Sequence, residues 1–241
     1  MVVLYALCAL LVVVLIYILF LTICSLFVNP RKEYEEHSQF YRTLLNGATA
    51  IAIKIMRIRI HTTGIDKIPP NTKNLLFVSN HRSNFDPILT WHILKQWQLA
   101  FVSKASNFKI PIFGRFIRKC CFMAIDRENP RNAIKTINKA AKLLQKGQVS
   151  IGIYPEGTRS KTCELLPFHN GVFKIAQKAD ADIVVLAISG TEQIYKNYPF
   201  HHTDVDIDVL EVIPSEQVKN IKTDIMGEQV KTVLSEHLLK K

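Results

Sequence analysis

No Asp, Glu, Lys or Arg occurs in the first thirty residues, although the chain of 241 carries 31 Lys plus Arg and 20 Asp plus Glu. An uncharged stretch of that length does not belong on the surface of a soluble domain, so a simple one-piece soluble protein is excluded. Cysteine is scarce, at five residues, with no C-x-x-C pair and no Cys/His spacing. Nothing therefore suggests a zinc site or a disulfide framework, and the isolated Cys163 reads as an ordinary thiol rather than a nucleophile. A G-x-S-x-G elbow is also missing, which removes the usual signature of a hydrolase with its own serine nucleophile. Nine Gly and ten Pro, with no internal repeat, exclude a collagen-like or disordered chain. The net charge of +11 comes with no nucleic-acid-binding motif, so no nucleic-acid partner is expected.

What the N-terminus has in place of charge is an apolar run from Val2 to Val28, interrupted only by Tyr5, Tyr17, Thr22 and Ser25. A helix needs roughly 20 apolar residues to cross a bilayer. A secretory signal peptide is the rival reading, but it would place basic residues before a shorter core. Here Arg31 and Lys32 follow the run. Residues 1–30 are accordingly read as a transmembrane anchor, with the remainder on the cytoplasmic side. In residues 31–57, Phe40, Leu44, Ala48, Ile51 and Ile55 recur at helical spacing, and Arg42, Lys54 and Arg57 supply basic residues. This pattern fits an amphipathic helix at an anionic membrane surface, and equally a helix whose apolar stripe covers a domain core.

Residues 58–241 alternate between strand and helix patterns. Strands are predicted from Ile58 to His61, Leu75 to Ser79 and Leu99 to Val102, then over 121–125, 149–154, 183–188 and 205–212. Helices are predicted over 87–97, 130–146 and 224–239, the second with Asn129 as N-cap, Pro130 at the first position and Gly147 as its stop. The fold expected is α/β, a mixed central sheet flanked by helices, preceded by the anchor and the surface helix.

Two polar segments stand at predicted strand ends, where α/β sheets bind ligands. The first is Ser79-Asn80-His81-Arg82-Ser83-Asn84-Phe85-Asp86-Pro87. A His there can take a proton near neutral pH, and Asp86 is placed to hold its ring. The same residues also permit a purely structural reading, with Asp86 and Pro87 as N-cap and first residue of the next helix. The second is Tyr154-Pro155-Glu156-Gly157-Thr158-Arg159-Ser160. Its Gly, hydroxyl, backbone amides and Arg suit a phosphate; its structural reading is a polar turn. Glu156 would repel a phosphate, so it is expected to orient an Arg or to touch a substrate hydroxyl. Lys104 and the pair Asp126-Arg127 follow two other strands, so that Lys104, Arg127 and Arg159 would put three cations at one sheet edge. Each is also readable as a solvated surface charge. Together these features suit a phosphate-bearing lipid with a free hydroxyl.

Here the chain resembles the glycerolipid acyltransferases typified by 1-acyl-glycerol-3-phosphate acyltransferase. Asn80, His81 and Asp86 match their Asn-His-x4-Asp motif, and Tyr154 to Ser160 match Phe/Tyr-Pro-Glu-Gly-Thr-Arg-Ser. The resemblance runs from about Ile58 to Ile213. It departs from the family where Cys121 stands for a usual Gly before Asp126-Arg127, where Val184-Val185-Leu186-Ala187 lacks a Val-Pro-Val, and where Phe168-His169-Asn170-Gly171 replaces Phe-Lys-x-Gly. What the resemblance implies is acyl transfer from a thioester, acyl-CoA or acyl-carrier protein, to the sn-2 hydroxyl of 1-acyl-glycerol-3-phosphate, giving phosphatidic acid. It implies His81 and Asp86 as the catalytic pair, and Lys104, Arg127, Glu156, Gly157, Thr158 and Arg159 as substrate-binding. No metal or resident cofactor is expected. The expected partners are membrane phospholipid, the lysophosphatidate acceptor and the thioester donor. Acyl transfer to glycerol-3-phosphate or another lysophospholipid, or a non-catalytic membrane-anchored binder of anionic lipid, are the alternatives.

Overall fold

The computed structural model describes residues 1–70, 72 and 74–240, and its first element is a single helix, α1 (Val2–Leu26). It is apolar on every side, and nearly all of it is exposed. Its 25 residues extend about 37 Å at the α-helical rise, against the roughly 30 Å of a bilayer's hydrocarbon core. Only its base is covered: Cys24, Ser25 and the following Val28 are buried. The Tyr41 hydroxyl donates to the Cys24 carbonyl at 2.9 Å, and the Arg115 guanidinium donates to the Ser25 carbonyl at 3.0 Å. The Cys24 carbonyl is one that a helix C-terminus leaves without an internal partner, while the Ser25 carbonyl also accepts from the Val28 amide at 3.0 Å; α1 is seated on the domain by side chains from two other elements.

The next helix, α2 (Gln39–Ile55), carries apolar residues on two faces. Tyr41, Leu45, Thr49 and Ile53 are buried against the domain, whereas Phe40, Ile51 and Ile55 are open to solvent. The face that covers the core is therefore not the stripe expected from the sequence, most of which stays open. Arg42 corrects the expectation of a basic complement on the open face. It is only 3% exposed and points inward. Its guanidinium donates to the carbonyls of Leu99, Gln98 and Cys120 at 3.0, 2.9 and 3.3 Å and lies over the Trp91 ring. A planar fork of donors can satisfy several loop carbonyls at once, and periodicity does not distinguish that use from a headgroup contact. Lys54 and Arg57 do remain exposed.

The chain then runs through β1 (Ile58–Thr63), β2 (Leu75–Ser79), α3 (Asp86–Ile93), β3 (Ala100–Lys104), α4 (Phe113–Lys119), β4 (Met123–Ile125), α5 (Pro130–Gln145) and β5 (Ile151–Ile153). It ends with α6 (Lys174–Ala179), β6 (Asp182–Ser189), α7 (Ile194–Asn197), β7 (Thr203–Ile213), α8 (Ser215–Asn220) and α9 (Thr223–Leu238). The sheet order is β1-β7-β6-β2-β5-β3-β4, parallel throughout except for the antiparallel β6–β7 pair. The expected mixed α/β fold is therefore what the chain adopts. Side chains alternate across it, as a pleated strand requires. Leu76 and Val78 of β2 face α5, α6 and α9, while Leu75 and Phe77 face α2, α3 and α4.

Local chemistry sets most boundaries. The Asn129 side chain accepts from the amides of Arg131 and Asn132 at the start of α5, and Gly147 closes that helix at φ +61°. In β5, a Cβ on Gly152 would lie 2.5 Å from the Phe101 ring, so only glycine lets β3 and β5 pair with that ring inside. Two expectations shift. The strand predicted over 121–125 begins only at Met123, because Cys121 sits at φ +64° with its amide on the Arg118 carbonyl, in the turn that ends α4. The helix predicted over 87–97 stops at Ile93 and continues as one 3-10 turn.

Candidate active site

Strands β6, β2, β5, β3 and β4 are mutually parallel, so their carboxyl ends share one edge of the sheet. His81 leaves β2 there, Tyr154 to Arg159 leave β5, Lys104 ends β3, Arg127 follows β4 and Thr191 follows β6. The first turn after β2 is fixed by Asn80, whose amide exchanges two 2.8 Å hydrogen bonds with the Ile188 backbone in place of a strand residue. That leaves His81 at the lip of the sheet.

The His81 Nδ1 lies 2.7 Å from Asp86 Oδ2, with 17% of the imidazole side chain and none of the carboxylate exposed. The same oxygen accepts from the amides of Arg82 and Ser83 at 2.6 and 2.7 Å, and Oδ1 accepts from the Thr191 hydroxyl at 2.6 Å. Asp86 is thus not an N-cap. It is the first residue of α3, and its carboxylate reaches back to close the preceding loop, because four donors converge there instead of on the helix end. A carboxylate that accepts a hydrogen bond from Nδ1–H leaves Nε2 as the ring's acceptor. The Tyr154 ring stacks on the imidazole, centroids 4.3 Å apart at 19°. Burial pushes the Tyr154 phenol well above its usual pKa, so it remains a neutral aromatic platform.

Glu156 departs from its expected place. It is buried. Oε1 accepts from the His81 amide at 2.6 Å, and Oε2 accepts from the Leu166 amide at 3.0 Å. Burial raises its carboxyl above the ordinary glutamate value, and the Leu166 and His81 amides oppose that rise. The Ser160 amide donates to the His81 carbonyl at 2.8 Å. Both polar groups of the His81 backbone are therefore held by the Glu156–Ser160 loop, 75 residues on from His81 to Glu156. The two sequence motifs form one clamp, in which Glu156 holds the His81 peptide, and its carboxylate is occupied by backbone amides in place of the Arg or substrate hydroxyl expected.

Gly157 is constrained twice in this loop. Its φ is +68°, and a Cβ would lie 2.9 Å from the His169 ring. Because His169 is exposed and can turn aside, the backbone conformation dominates. Gly157→Ala is expected to lower the unfolding free energy by about 1–2 kcal/mol, read from the shift of the urea midpoint.

His81 opens onto a cleft of about 520 Å³, whose walls include Lys104, Arg127, Tyr154, Thr158 and Arg159. Among the described residues no carboxylate lines it, and the three cations form no ion pair. Asp126 takes no part in the cleft. Its oxygens accept from the Glu128 and Asn129 amides and the Asn132 side chain at the start of α5. Ile88, Phe101, Val102, Ile110 and Phe113 add apolar side chains to the lining, alongside the polar Asn84, Ser103, Ser106 and Asn107. A cleft that combines unpaired cations with apolar side chains fits an anionic headgroup attached to an acyl chain. Gly157 itself does not line it; it shapes the turn that carries Thr158 and Arg159.

Sequence reading did not identify Thr191 or the stacking of Tyr154. Thr191 lies 105 residues from Asp86, and an isolated Thr after a strand has no local signal. Tyr154 was in view within its motif, but a motif does not show which ring lies against it.

Comparison with known proteins identifies the family. The acyltransferase family matches residues 59–189. A 1-acyl-sn-glycerol-3-phosphate acyltransferase of Chlamydomonas reinhardtii is 29% identical over 158 residues, covering 66% of this chain and 47% of that protein. The enzyme of that name from Escherichia coli K12 is 32% identical over 144 residues, covering 60% of this chain and 58% of its own. The chain spans about half the length of several curated relatives it matches. In three dimensions it superimposes on the 1-acyl-sn-glycerophosphate acyltransferase PlsC of Thermotoga maritima with a TM-score of 0.71, covering 93% and 88% of the two chains at 21% identity. At that identity the likeness concerns the fold.

Proposed function

Since the chain belongs to the acyltransferase family, we propose that it moves an acyl chain from a thioester, acyl-CoA or acyl-carrier protein, to the free sn-2 hydroxyl of 1-acyl-glycerol-3-phosphate. The product is phosphatidic acid. The observation that carries this reading is that His81, held from behind by Asp86, opens onto one cleft with three cations that, among the described residues, have no ion-pair partner and share the lining with no carboxylate.

In the proposed reaction, His81 Nε2 takes the hydroxyl proton as the acceptor oxygen attacks the thioester carbonyl. The tetrahedral adduct collapses, the carbon–sulfur bond breaks, and the imidazolium returns its proton to the departing thiolate. The reaction is balanced without a covalent acyl-enzyme and needs no resident cofactor. Asp86 keeps the proton on Nδ1 and stabilises the imidazolium that forms transiently. Arg159, Arg127 and Lys104 hold the acceptor's phosphate, with Thr158 as a further donor, while the apolar walls receive hydrocarbon. The length and composition of α1 support membrane anchorage, and Arg31 and Lys32 after it support a cytoplasmic catalytic domain.

The test is the purified protein in micelles with both thioester donors and a panel of acceptors: lysophosphatidate, glycerol-3-phosphate and lysophospholipids with other headgroups. Preferential turnover of lysophosphatidate is expected. Preference for another acceptor would reassign the substrate, and binding of anionic lipid without turnover of any would make the protein a binder. Arg159→Ala is expected to raise the acceptor KM about tenfold to a hundredfold, the loss of a charge-assisted contact worth roughly 1.5–3 kcal/mol. The donor KM should hardly change, and an unchanged acceptor KM would remove Arg159 from the phosphate site.

A further inference from the structure

Helix α7 and the loop from it to β7 expose three aromatic side chains that the chemistry above does not use. Phe200 is 80% exposed, Tyr195 62% and Tyr198 41%. The loop is firmly held. The Tyr198 amide donates to the Ile194 carbonyl at 3.1 Å, the His201 amide to the Asn197 carbonyl at 2.8 Å, and the Asn197 side chain to the Thr203 hydroxyl at 3.0 Å. A fixed loop that presents large apolar rings to water has a surface suited to a partner rather than one that has merely frayed.

Its position indicates the partner. Arg57, just past the end of α2, donates to the Pro199 carbonyl at 3.2 Å and lies 3.2 Å from His202. The loop therefore adjoins the end of α2 that carries the exposed Ile51 and Ile55. On its other side the Tyr195 ring packs on Phe85, centroids 5.3 Å apart, and the neighbours of Phe85 at Asn84, Pro87 and Ile88 line the catalytic cleft. The open face of α2, the aromatic loop and the cleft thus share one edge of the sheet. Lys54, Arg57 and Lys196 add exposed positive charge there.

From this arrangement we infer that α7 and the loop after it, carrying Tyr195, Tyr198 and Phe200, form a second membrane contact, a foot that sits in the lipid headgroup region beside the cleft mouth. Tyr and Phe place an apolar body among acyl chains at such a boundary, and the Tyr hydroxyls stay among the headgroups. The neighbouring cations are attracted to anionic lipid. Helix α2 spans about 25 Å, so the foot meets the bilayer well away from the base of α1. Two separated contacts fix the tilt of the domain, where one helix would leave it free to swivel. The cleft then faces lysolipid that is already in the bilayer.

The inference rests on α1 lying in a bilayer, and the experiment separates the two. The full chain is reconstituted into vesicles of phosphatidylcholine and phosphatidylglycerol, with and without bromine on the acyl chains. Phe200→Trp reports on the foot and Phe20→Trp, within α1, reports on the anchor. The native Trp91 and Trp97 are buried in the domain and give the background. The indole at position 200 is expected to shift its emission to the blue and to lose most of it to the brominated lipid. A quenched reporter at position 20 with an unquenched one at 200 would overturn the foot and leave the anchor standing. Unquenched reporters at both positions would remove both. Blue-shifted but unquenched emission from position 200 would mean a protein partner, and so would also overturn the lipid assignment.

Discussion

His81→Ala is expected to reduce acyl transfer to lysophosphatidate about 10²- to 10⁴-fold, the usual range for loss of a general base, while leaving the protein folded and in the membrane. The second half of that expectation follows from how His81 is held. Its amide donates to Glu156 and its carbonyl accepts from Ser160. Both bonds belong to the backbone, so alanine keeps the clamp. Asp86 loses the imidazole but retains the amides of Arg82 and Ser83 and the Thr191 hydroxyl, so no bare charge is left buried. The Tyr154 ring loses its stacking partner towards an open cleft, where water can enter. The check is transfer of a labelled acyl group together with the thermal midpoint. Turnover near the wild-type rate would end the proposed mechanism, whereas a collapsed midpoint would show that the side chain is structural.

Asp86→Asn should cost nearly as much in rate and, unlike the first change, should also cost stability. The carboxylate accepts four hydrogen bonds and offers none. An amide has one oxygen and one NH2 in the same place. With its oxygen towards Arg82, Ser83 and His81, the NH2 meets the Thr191 hydroxyl, which can turn to accept, but the imidazolium loses its negative partner. With the NH2 on the other side, it opposes two backbone amides and drives His81 to the tautomer with its proton on Nε2, where it cannot act as a base. Either arrangement is expected to lower turnover about 10³- to 10⁴-fold, as neutralising the buried carboxylate of a catalytic triad does. The lost charge-assisted bonds should lower the unfolding free energy by about 2–4 kcal/mol. Urea unfolding and single-turnover acyl transfer measure the two effects separately. Near-native turnover in a stably folded variant would show that Asp86 only shapes its loop.

How much of this was legible in the sequence varies from residue to residue. The long apolar helix was plain, because an uncharged run needs no tertiary context to be recognised. The strands and α5 were largely readable, since Asn129, Pro130 and Gly147 act on their own neighbours. Short α4, α6, α7 and α8 gave no clear signal; a helix of one or two turns has too few residues to show a period. His81 and Asp86, five apart, were readable as a pair because a single loop brings them together. The meeting of Lys104, Arg127 and Arg159 was anticipated from strand ends alone, and the parallel strands place them in one cleft.

The misplaced residues, Arg42 and Glu156, share a cause. Each is charged, each sits in a segment whose neighbours suggested an outward role, and each is turned inward to backbone groups distant in sequence. A charged side chain's direction depends on where unpaired carbonyls and amides lie in the folded chain, and those are not visible from local pattern.

By itself, then, the sequence determined an apolar helix long enough for a membrane, an alternating α/β domain, and a His–Asp pair and a phosphate-suited turn at strand ends. These follow from composition, periodicity and spacing, which act over a few residues. The tertiary structure alone decided that the two motifs clamp each other through the His81 peptide, that Thr191 completes the Asp86 acceptor site, and that Arg42 supports loops instead of meeting headgroups. It also decided which apolar side of α2 stays open. Each of these is a hydrogen bond or packing contact between residues tens of positions apart, and only folding brings such partners within the roughly 3 Å at which a hydrogen bond acts.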